Sequence, residues 1–277
     1  MKAVAVHEHG GTEHLVYHTD YEDPTPGPGD VILRVKACSL NYHDIFTRNG
    51  MPGIKLALPV IPGLDVAGEI AEVGPDVTDW KVGDRVLVDP LNRVEGGLQG
   101  ETYNGGLAEY CKTRAHQLVR IPDGVTYAQA ASLPVAYGTA HRMMFTNGNI
   151  KAGEKALILG ASGGVGTGAL LLAKMVGMEV LAAGSSESKL ARLTEMGADH
   201  VVDYSKQEFH KKVYELFGKP HRRSFDGGVD VVVNFTGGET CVPSLRSLNR
   251  CGALLTCAPP AAFVPQPHLP VVRSPHP

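Results

Sequence analysis

The sequence predicts a two-part α/β protein, in which a strand-rich first half precedes an open parallel β-sheet covered by helices. Six short strand-like runs separated by Gly/Pro turns fill residues 1–121, as is typical of a small barrel-like β domain. Beyond residue 124, apolar strand-like runs alternate with helix-length segments, which predicts right-handed crossovers between parallel strands. A chain of 277 residues with 43% apolar side chains is long enough for two hydrophobic cores.

The individual elements follow this division. The predicted strands of the first part are residues 2–6, 31–39, 68–73, 85–89, 107–113 and 118–121. The predicted strands of the second part are residues 155–159, 180–183, 200–204, 229–235 and 253–257. Its predicted helices are residues 166–176, 187–196 and 206–217. Because the strands of the second part are continuous apolar runs, we expect helices on both faces of their sheet.

Charge and composition favour a small-molecule partner. The 26 basic and 29 acidic residues give a net charge of -3 without any block of like charges, which argues against nucleic acid or an anionic membrane surface. No apolar run approaches the roughly 18 residues of a membrane span. Five cysteines, an odd number without a CxxC pair, suit reduced thiols, so we expect a cytoplasmic protein.

A glycine-rich turn, Gly160-Ala161-Ser162-Gly163-Gly164-Val165-Gly166, lies between a buried strand and an apolar helix. This context predicts a dinucleotide-binding Rossmann domain. Gly163 allows the backbone to approach a pyrophosphate, Gly166 allows close packing of helix on strand, and the free amides at the helix start bind the anion.

The segment after the next strand favours NADPH over NADH. NAD-selective domains place Asp or Glu about 20 residues beyond the glycine turn to bind the ribose hydroxyls, whereas this chain has Gly184-Ser185-Ser186. Without a carboxylate to repel it, a 2'-phosphate can bind the Ser185 and Ser186 hydroxyls, the Lys189 ammonium and Arg192.

Several segments together resemble the medium-chain dehydrogenase/reductase superfamily, and within it the zinc-independent, zeta-crystallin-like quinone oxidoreductase branch. The matching segments are residues 41–50, 62–68, 82–86, 105–110 and 160–166. The resemblance implies a GroES-like catalytic domain over residues 1–124, a Rossmann domain over residues 125–258, a nicotinamide cofactor and hydride transfer. The expected cofactor-binding residues are Thr139, Ser162, Gly163, Gly164, Val165, Gly166, Gly184, Ser185, Lys189, Tyr204, Thr236 and Gly237.

The resemblance also leads us to expect no metal. Zinc-dependent relatives hold the catalytic zinc at positions that are Asn41, Leu64 and Val135 here, and these side chains do not offer the nitrogen and sulfur ligands that zinc prefers. The stretch that matches the structural zinc lobe, residues 89–104, contains no cysteine.

The catalytic candidates are Asn41, His43 and Phe46. Without a metal, another group must stabilise the negative charge that hydride transfer creates on the substrate oxygen. Asn41 is expected to orient the substrate or the nicotinamide. His43 is either a proton donor or an ordinary half-buried histidine, and Phe46 lies where relatives place an aromatic residue beside the cofactor. Quinones and enones are the expected substrates, because they delocalise the developing charge.

Two alternative functions remain open, and the second of them depends on the end of the chain. One is an alcohol dehydrogenase or carbonyl reductase of the same superfamily. The other is a non-catalytic, truncated NADPH-binding relative, because residues 259–277 form a proline-rich tail where the resemblance implies a sixth strand and a return segment. Relatives dimerise through that strand, so both the homodimer and the activity are in question.

Overall fold

The computed structural model describes residues 1–50, 56–221, 223–224 and 226–257. The tail predicted over residues 259–277 lies outside this range. The chain divides into two compact units, Met1–Ala136 and a second that begins at Tyr137. Within the described residues, no helix combines the length and the apolar character needed to cross a membrane.

The secondary structure elements of the first unit follow in chain order. Its strands are β1 (Ala3–Val6), β2 (Leu15–His18), β3 (Asp30–Ser39), β4 (Asp65–Val73), β5 (Arg85–Val88), β6 (Tyr110–Arg114) and β7 (Leu118–Arg120). Its helices are α1 (Tyr42–Asn49) and α2 (Tyr127–Ala131), and α3 (Pro134–His141) crosses the boundary between the units.

The elements of the second unit alternate as the sequence predicts. Its strands are β8 (Lys155–Ile158), β9 (Glu179–Gly184), β10 (His200–Asp203), β11 (Val229–Val233) and β12 (Leu248–Leu255). Its helices are α4 (Gly164–Val176), α5 (Glu187–Glu195), α6 (Phe209–Phe217) and α7 (Cys241–Ser247), and a π-helical segment, Arg142–Asn147, follows α3.

The first unit is an antiparallel sheet in the order β6-β3-β4-β5-β7, with β1 and β2 paired separately. Buried residues of this sheet, including Leu33, Val66 and Ile70, form its core. Helix α2 packs against β3 and β4, and its Ala130 and Ala131 are buried with Ala67 of β4. The compact unit therefore extends to Ala136, beyond the boundary that the sequence predicts at residue 124.

The second unit is a parallel sheet in the order β10-β9-β8-β11-β12. The chain proceeds outward from β8 to β10 and then returns to the other side of β8 with β11. Ligands of open α/β sheets bind at the carboxyl ends of the strands beside such a reversal. The glycine turn directly follows β8, so the topology places it at this point.

Two hydrophobic cores cover the two faces of the parallel sheet. One contains Leu170 of α4 and Leu193 of α5, and the other contains Phe209 and Val213 of α6. The predicted fold class, a GroES-like domain followed by a Rossmann-like sheet, is confirmed. Strand β12 begins at Leu248, five residues before the predicted start at residue 253, because the chain continues through an irregular register in which Cys251 has a φ of 70°.

Candidate active site

The glycine turn has the geometry that a dinucleotide pyrophosphate requires. The N–H of Gly163 donates to the carbonyl of Gly160 at 2.9 Å, and α4 begins directly afterwards with no side-chain cap on its amides. The first amides of a helix lack intrahelical partners and attract anions. A Cβ on Gly166 would lie 2.5 Å from the Gly160 carbonyl oxygen, so only glycine fits there. These residues fit the nicotinamide dinucleotide that the sequence predicts.

The structure brings the predicted turn residues to one surface. Ser162, Gly163 and Gly164 are exposed, Val165 is half-buried and Gly166 is buried. Thr139 lies half-buried on α3, which approaches α4 so closely that a Cβ on Gly168 would meet Ala140 at 3.2 Å.

The predicted 2'-phosphate residues gather beyond β9. The Lys189 Nζ donates to Ser185 Oγ at 3.5 Å, and among the described residues no carboxylate lies within ion-pair distance of that ammonium. A cavity of about 260 Å³ is lined here by Ser162, Ser188, Lys189 and Arg192, with no acidic residue in its lining. This cavity, which we call the basic cavity, can accept an anion beside the glycine turn.

The loop after β11 is held by a buried asparagine that sequence reasoning missed. The Asn234 side chain is almost wholly buried, and its Oδ1 accepts from the backbone amides of Thr236 at 3.0 Å and Gly237 at 3.1 Å. Its Nδ2 donates to the hydroxyls of Thr240 and Ser244. The two predicted residues Thr236 and Gly237 are thus fixed by a residue whose only sequence signal is an amide at the end of an apolar strand.

Gly184 and Tyr204 meet at the carboxyl ends of β9 and β10. The Tyr204 amide donates to the Gly184 carbonyl at 3.1 Å, while the residue as a whole is 46% exposed. Tyr204 and Thr236 line a second cavity of this unit, of about 300 Å³, which we call the acidic cavity because Glu208 and Glu239 also line it.

In the first unit, Asn41 is tied to a buried carboxylate. Asn41 Nδ2 donates to Asp65 Oδ2 at 2.9 Å, and Ser39 Oγ donates to the same oxygen at 2.7 Å. The other oxygen of Asp65 accepts from the Val135 amide at 3.0 Å. Asp65 is completely buried, and burial raises the pKa of its carboxyl group. Asp65 thus links Asn41 and Val135, two of the positions where zinc-dependent relatives are expected to hold their metal.

A second buried carboxylate shapes the start of α1. Asp44 accepts from the backbone amides of Asn41 and Gly63, both at 2.7 Å, and burial raises its pKa. Leu64 is buried in the core. Across the described part of the chain, no group of three or more His, Cys, Asp or Glu side chains could hold a metal ion. The predicted absence of zinc stays a prediction.

Asn41 lines an apolar cavity of about 300 Å³ in the first unit, which we call the Asn41 cavity. Leu40 and Tyr42, on either side of Asn41, line the cavity with Leu15 and Ile45, and all four are more than a third exposed. Such clustered exposure of large apolar side chains is typical of a binding site.

His43 has a different hydrogen-bond partner from Asn41. Its Nε2 hydrogen-bonds a carboxylate oxygen of Glu101, and its ring contacts Phe46 edge-on at 6.4 Å between centroids. Glu101 is 86% buried as a side chain, since its relative exposure is 14%. Neither His43 nor Phe46 lines the Asn41 cavity. Sequence reasoning missed Glu101 because it lies in the loop that would carry a zinc lobe in relatives.

Comparison with known proteins agrees with this architecture. The family described as "Alcohol dehydrogenase GroES-like domain" matches residues 27–123, and the family described as "Zinc-binding dehydrogenase" matches residues 164–271. The human quinone oxidoreductase (Homo sapiens) is 30% identical over 255 residues, which cover 92% of this chain and 72% of the human protein.

Two solved structures extend the comparison. A crystal structure of an NAD-dependent alcohol dehydrogenase superimposes with a TM-score of 0.87 at 30% identity, covering 95% of this chain and 79% of that one. A mycobacterial protein complexed with NADPH superimposes with a TM-score of 0.78 at 31% identity, covering 96% and 77%.

The fold and these relatives define an oxidoreductase of a class that binds a nicotinamide cofactor. The chain belongs to the medium-chain dehydrogenase/reductase superfamily.

Proposed function

We propose that this chain is an NADPH-dependent oxidoreductase that reduces quinones or α,β-unsaturated carbonyl compounds without zinc. The observation that carries the cofactor choice is the basic cavity beside the glycine turn, which has no carboxylate in its lining. Lys189 has no ion-pair partner in the described residues, and Arg192, which also lines the cavity, pairs with Glu195 at 2.8 Å. A ribose hydroxyl pair would favour a carboxylate acceptor there, whereas a 2'-phosphate favours cations. The NADPH complex of a structural neighbour supports the same choice.

The cofactor is bound by the second unit in this proposal. The amides that open α4 hold the pyrophosphate with the backbone of Ser162 to Gly166, and Ser185 and Lys189 bind the 2'-phosphate. Gly184, Tyr204, Thr236 and Gly237 surround the adenosine half, and Thr139 lies behind the nicotinamide ring. When bound, the reduced nicotinamide supplies a hydride, and is itself oxidised by two electrons.

The first unit binds the substrate in this proposal. The Asn41 cavity suits an apolar, conjugated ring, because its lining is dominated by Leu15, Leu40, Tyr42 and Ile45. An amide nitrogen carries two N–H donors, and Asp65 accepts one of them. The other can donate to the substrate oxygen as negative charge develops there, and it is already oriented before substrate binds.

In this proposal His43, which does not line the Asn41 cavity, supplies the proton that the reduced oxygen requires through intervening water. Glu101 accepts a hydrogen bond from Nε2, so the imidazolium form of His43 gives up its Nδ1 proton and becomes the neutral ring. Nδ1 has no hydrogen-bond partner in the described part of the chain. Phe46 packs on the edge of the His43 ring and limits its rotation. Hydride and proton together convert a quinone to the hydroquinone, or an enone to the saturated carbonyl compound.

The test is a binding titration followed by an activity panel on one preparation. NADPH and NADH dissociation constants are measured by fluorescence, and consumption of the tighter binder is then followed with quinones, enones, saturated ketones and simple alcohols. Tighter binding of NADPH and turnover of quinones or enones support the proposal. Preference for NADH with alcohol oxidation would favour the activity named for one structural neighbour, and binding without turnover would indicate a non-catalytic relative.

Compartment and assembly complete the proposal. We propose a cytoplasmic protein, and cell fractionation with an antibody to the chain tests that assignment. Sedimentation of the purified protein distinguishes a homodimer from a monomer.

A further inference from the structure

Two histidines at the surface of the first unit bring their ring nitrogens together outside the proposed active site. His7 directly follows β1, and His18 ends β2, the strand that pairs with β1. Their Nε2 atoms lie 2.9 Å apart, and their ring centroids lie 5.0 Å apart. Neither residue lines the Asn41 cavity, so the proposed reaction does not use these two side chains, which we call the His7–His18 pair.

The His7–His18 pair is accessible to a ligand from solution. Its hydrogen bond is exposed to solvent, because His7 is exposed and His18 is half-buried. Tyr21 packs edge-on against the His18 ring at 5.3 Å between centroids. No carboxylate of the described residues lies within ion-pair distance of either ring, and neither Nδ1 atom has a hydrogen-bond partner among those residues.

The protons of the two imidazoles decide whether both rings can bind one ion. In the hydrogen bond, one Nε2 carries a proton and the other Nε2 accepts it. A neutral imidazole can carry its proton on either ring nitrogen. Because both Nδ1 atoms are unpaired, the donor ring can hold its proton on Nδ1 without breaking another protein contact. Both Nε2 lone pairs are then available to a single cation.

The distance between the two nitrogens indicates which metal fits. Imidazole is a good ligand for zinc, copper and nickel. At bond lengths of about 2.0–2.1 Å, two nitrogens of a tetrahedral zinc site lie about 3.3 Å apart. Neighbouring nitrogens of a square-planar ion with similar bond lengths lie about 2.9 Å apart, as the Nε2 atoms of the pair do. Among first-row divalent ions, Cu²⁺ prefers this geometry and binds nitrogen ligands most tightly.

We propose that the His7–His18 pair is a binding site for Cu²⁺. The two Nε2 atoms occupy neighbouring positions of a square-planar ion, and water molecules occupy the others. The exposed His7 ring rotates about its Cβ–Cγ bond to direct its lone pair at the ion. Because the protein supplies only two ligands, the site exchanges its ion with solution. It connects the end of β1 to the end of β2, so bound Cu²⁺ stabilises the pairing of these strands.

The experiment titrates Cu²⁺, Ni²⁺ and Zn²⁺ into the full chain without cofactor, with affinity measured by calorimetry and the Cu²⁺ ligands identified by electron paramagnetic resonance. Every protein compared carries Cys251→Ser, because an exposed thiol also binds copper. We expect one Cu²⁺ per chain with two nitrogen ligands, bound more tightly than Zn²⁺. His7→Gln and His18→Gln should each remove one nitrogen from the spectrum and weaken binding at least about tenfold, since loss of even an outer-shell partner of a metal costs that much.

His9→Gln is the matched control. His9 is also exposed and lies two residues from His7, but its Nδ1 contacts the Thr47 carbonyl rather than another imidazole. It should leave Cu²⁺ affinity and the number of nitrogen ligands unchanged. Failure of the parent protein to bind Cu²⁺, tighter binding of Zn²⁺, or a His7→Gln or His18→Gln variant that binds Cu²⁺ as the parent does would each overturn the inference. None of these results depends on NADPH binding or turnover, so they leave the proposed function untouched.

Discussion

Replacing Lys189 by Gln should weaken the binding of NADPH and leave the binding of NADH unchanged. Lys189 is exposed, its Nζ donates a hydrogen bond to Ser185 Oγ at 3.5 Å, and no carboxylate in the described residues neutralises it. Unit charges 4 Å apart attract by about 1 kcal/mol in water and about 4 kcal/mol at an effective dielectric constant of 20. For an exposed ammonium facing a phosphate, solvent screening favours the lower end, about 1–2 kcal/mol.

An energy of this size corresponds to a roughly 5- to 30-fold increase in the NADPH dissociation constant. Fluorescence titration of both cofactors against wild type and Lys189→Gln measures it, and raising the salt concentration should shrink the difference because the contact is exposed. Lys206→Gln is the matched control, since Lys206 is also exposed but pairs with Glu187 and lines neither cavity. Equal weakening of NADH and NADPH in Lys189→Gln, or no change in either, would refute the assignment of the 2'-phosphate to this lysine.

The other predictions concern packing, buried charge and thiol reactivity. Gly166→Ala should lower the free energy of unfolding by about 1–3 kcal/mol, because the new Cβ would lie 2.5 Å from the Gly160 carbonyl oxygen. Gly163→Ala, whose Cβ would meet no atom nearer than 3.4 Å, should fold normally but bind NADPH more weakly. Denaturant unfolding measures the first effect, and NADPH titration measures the second. Burial raises the pKa of Asp65, so the folded state holds its proton more tightly than the unfolded state, and the stability of wild type relative to Asp65→Asn should fall as the pH rises above about 4. A constant difference across that range would contradict this. A thiol reagent at pH 7 should label exposed Cys251 and spare Cys111, where burial raises the pKa to about 12; mass spectrometry of the labelled peptides reports the order.

Local sequence was enough to predict the glycine turn and the parallel sheet. The turn, its preceding strand and its helix occupy one continuous segment, and the close approach of Gly166 to Gly160 depends on backbone only six residues apart. The predicted helix starts differ by a few residues, as for α6, which begins at Phe209 rather than residue 206. Helix ends depend on caps and packing more than on periodicity.

The partners of the candidate catalytic residues could not be predicted from their neighbours in the chain. Asp65 bonds Asn41 across 24 positions, and Glu101 bonds His43 across 58. Neither pair has a characteristic spacing, because the distance along the chain is set by the intervening strands and loops rather than by the contact.

The amino-acid sequence by itself determined the fold class, the dinucleotide turn and the absence of a carboxylate at residues 184–186, since each depends on a short, continuous run of residues. Only the tertiary structure decided that a wholly buried carboxylate, Asp65, joins Asn41 to Val135, that Glu101 holds His43, and that basic and acidic residues line separate cavities of the second unit. These features arise from long-range contacts, and their physical origin is burial: a charge or ring nitrogen removed from water must find its partner wherever the fold brings one within hydrogen-bond distance.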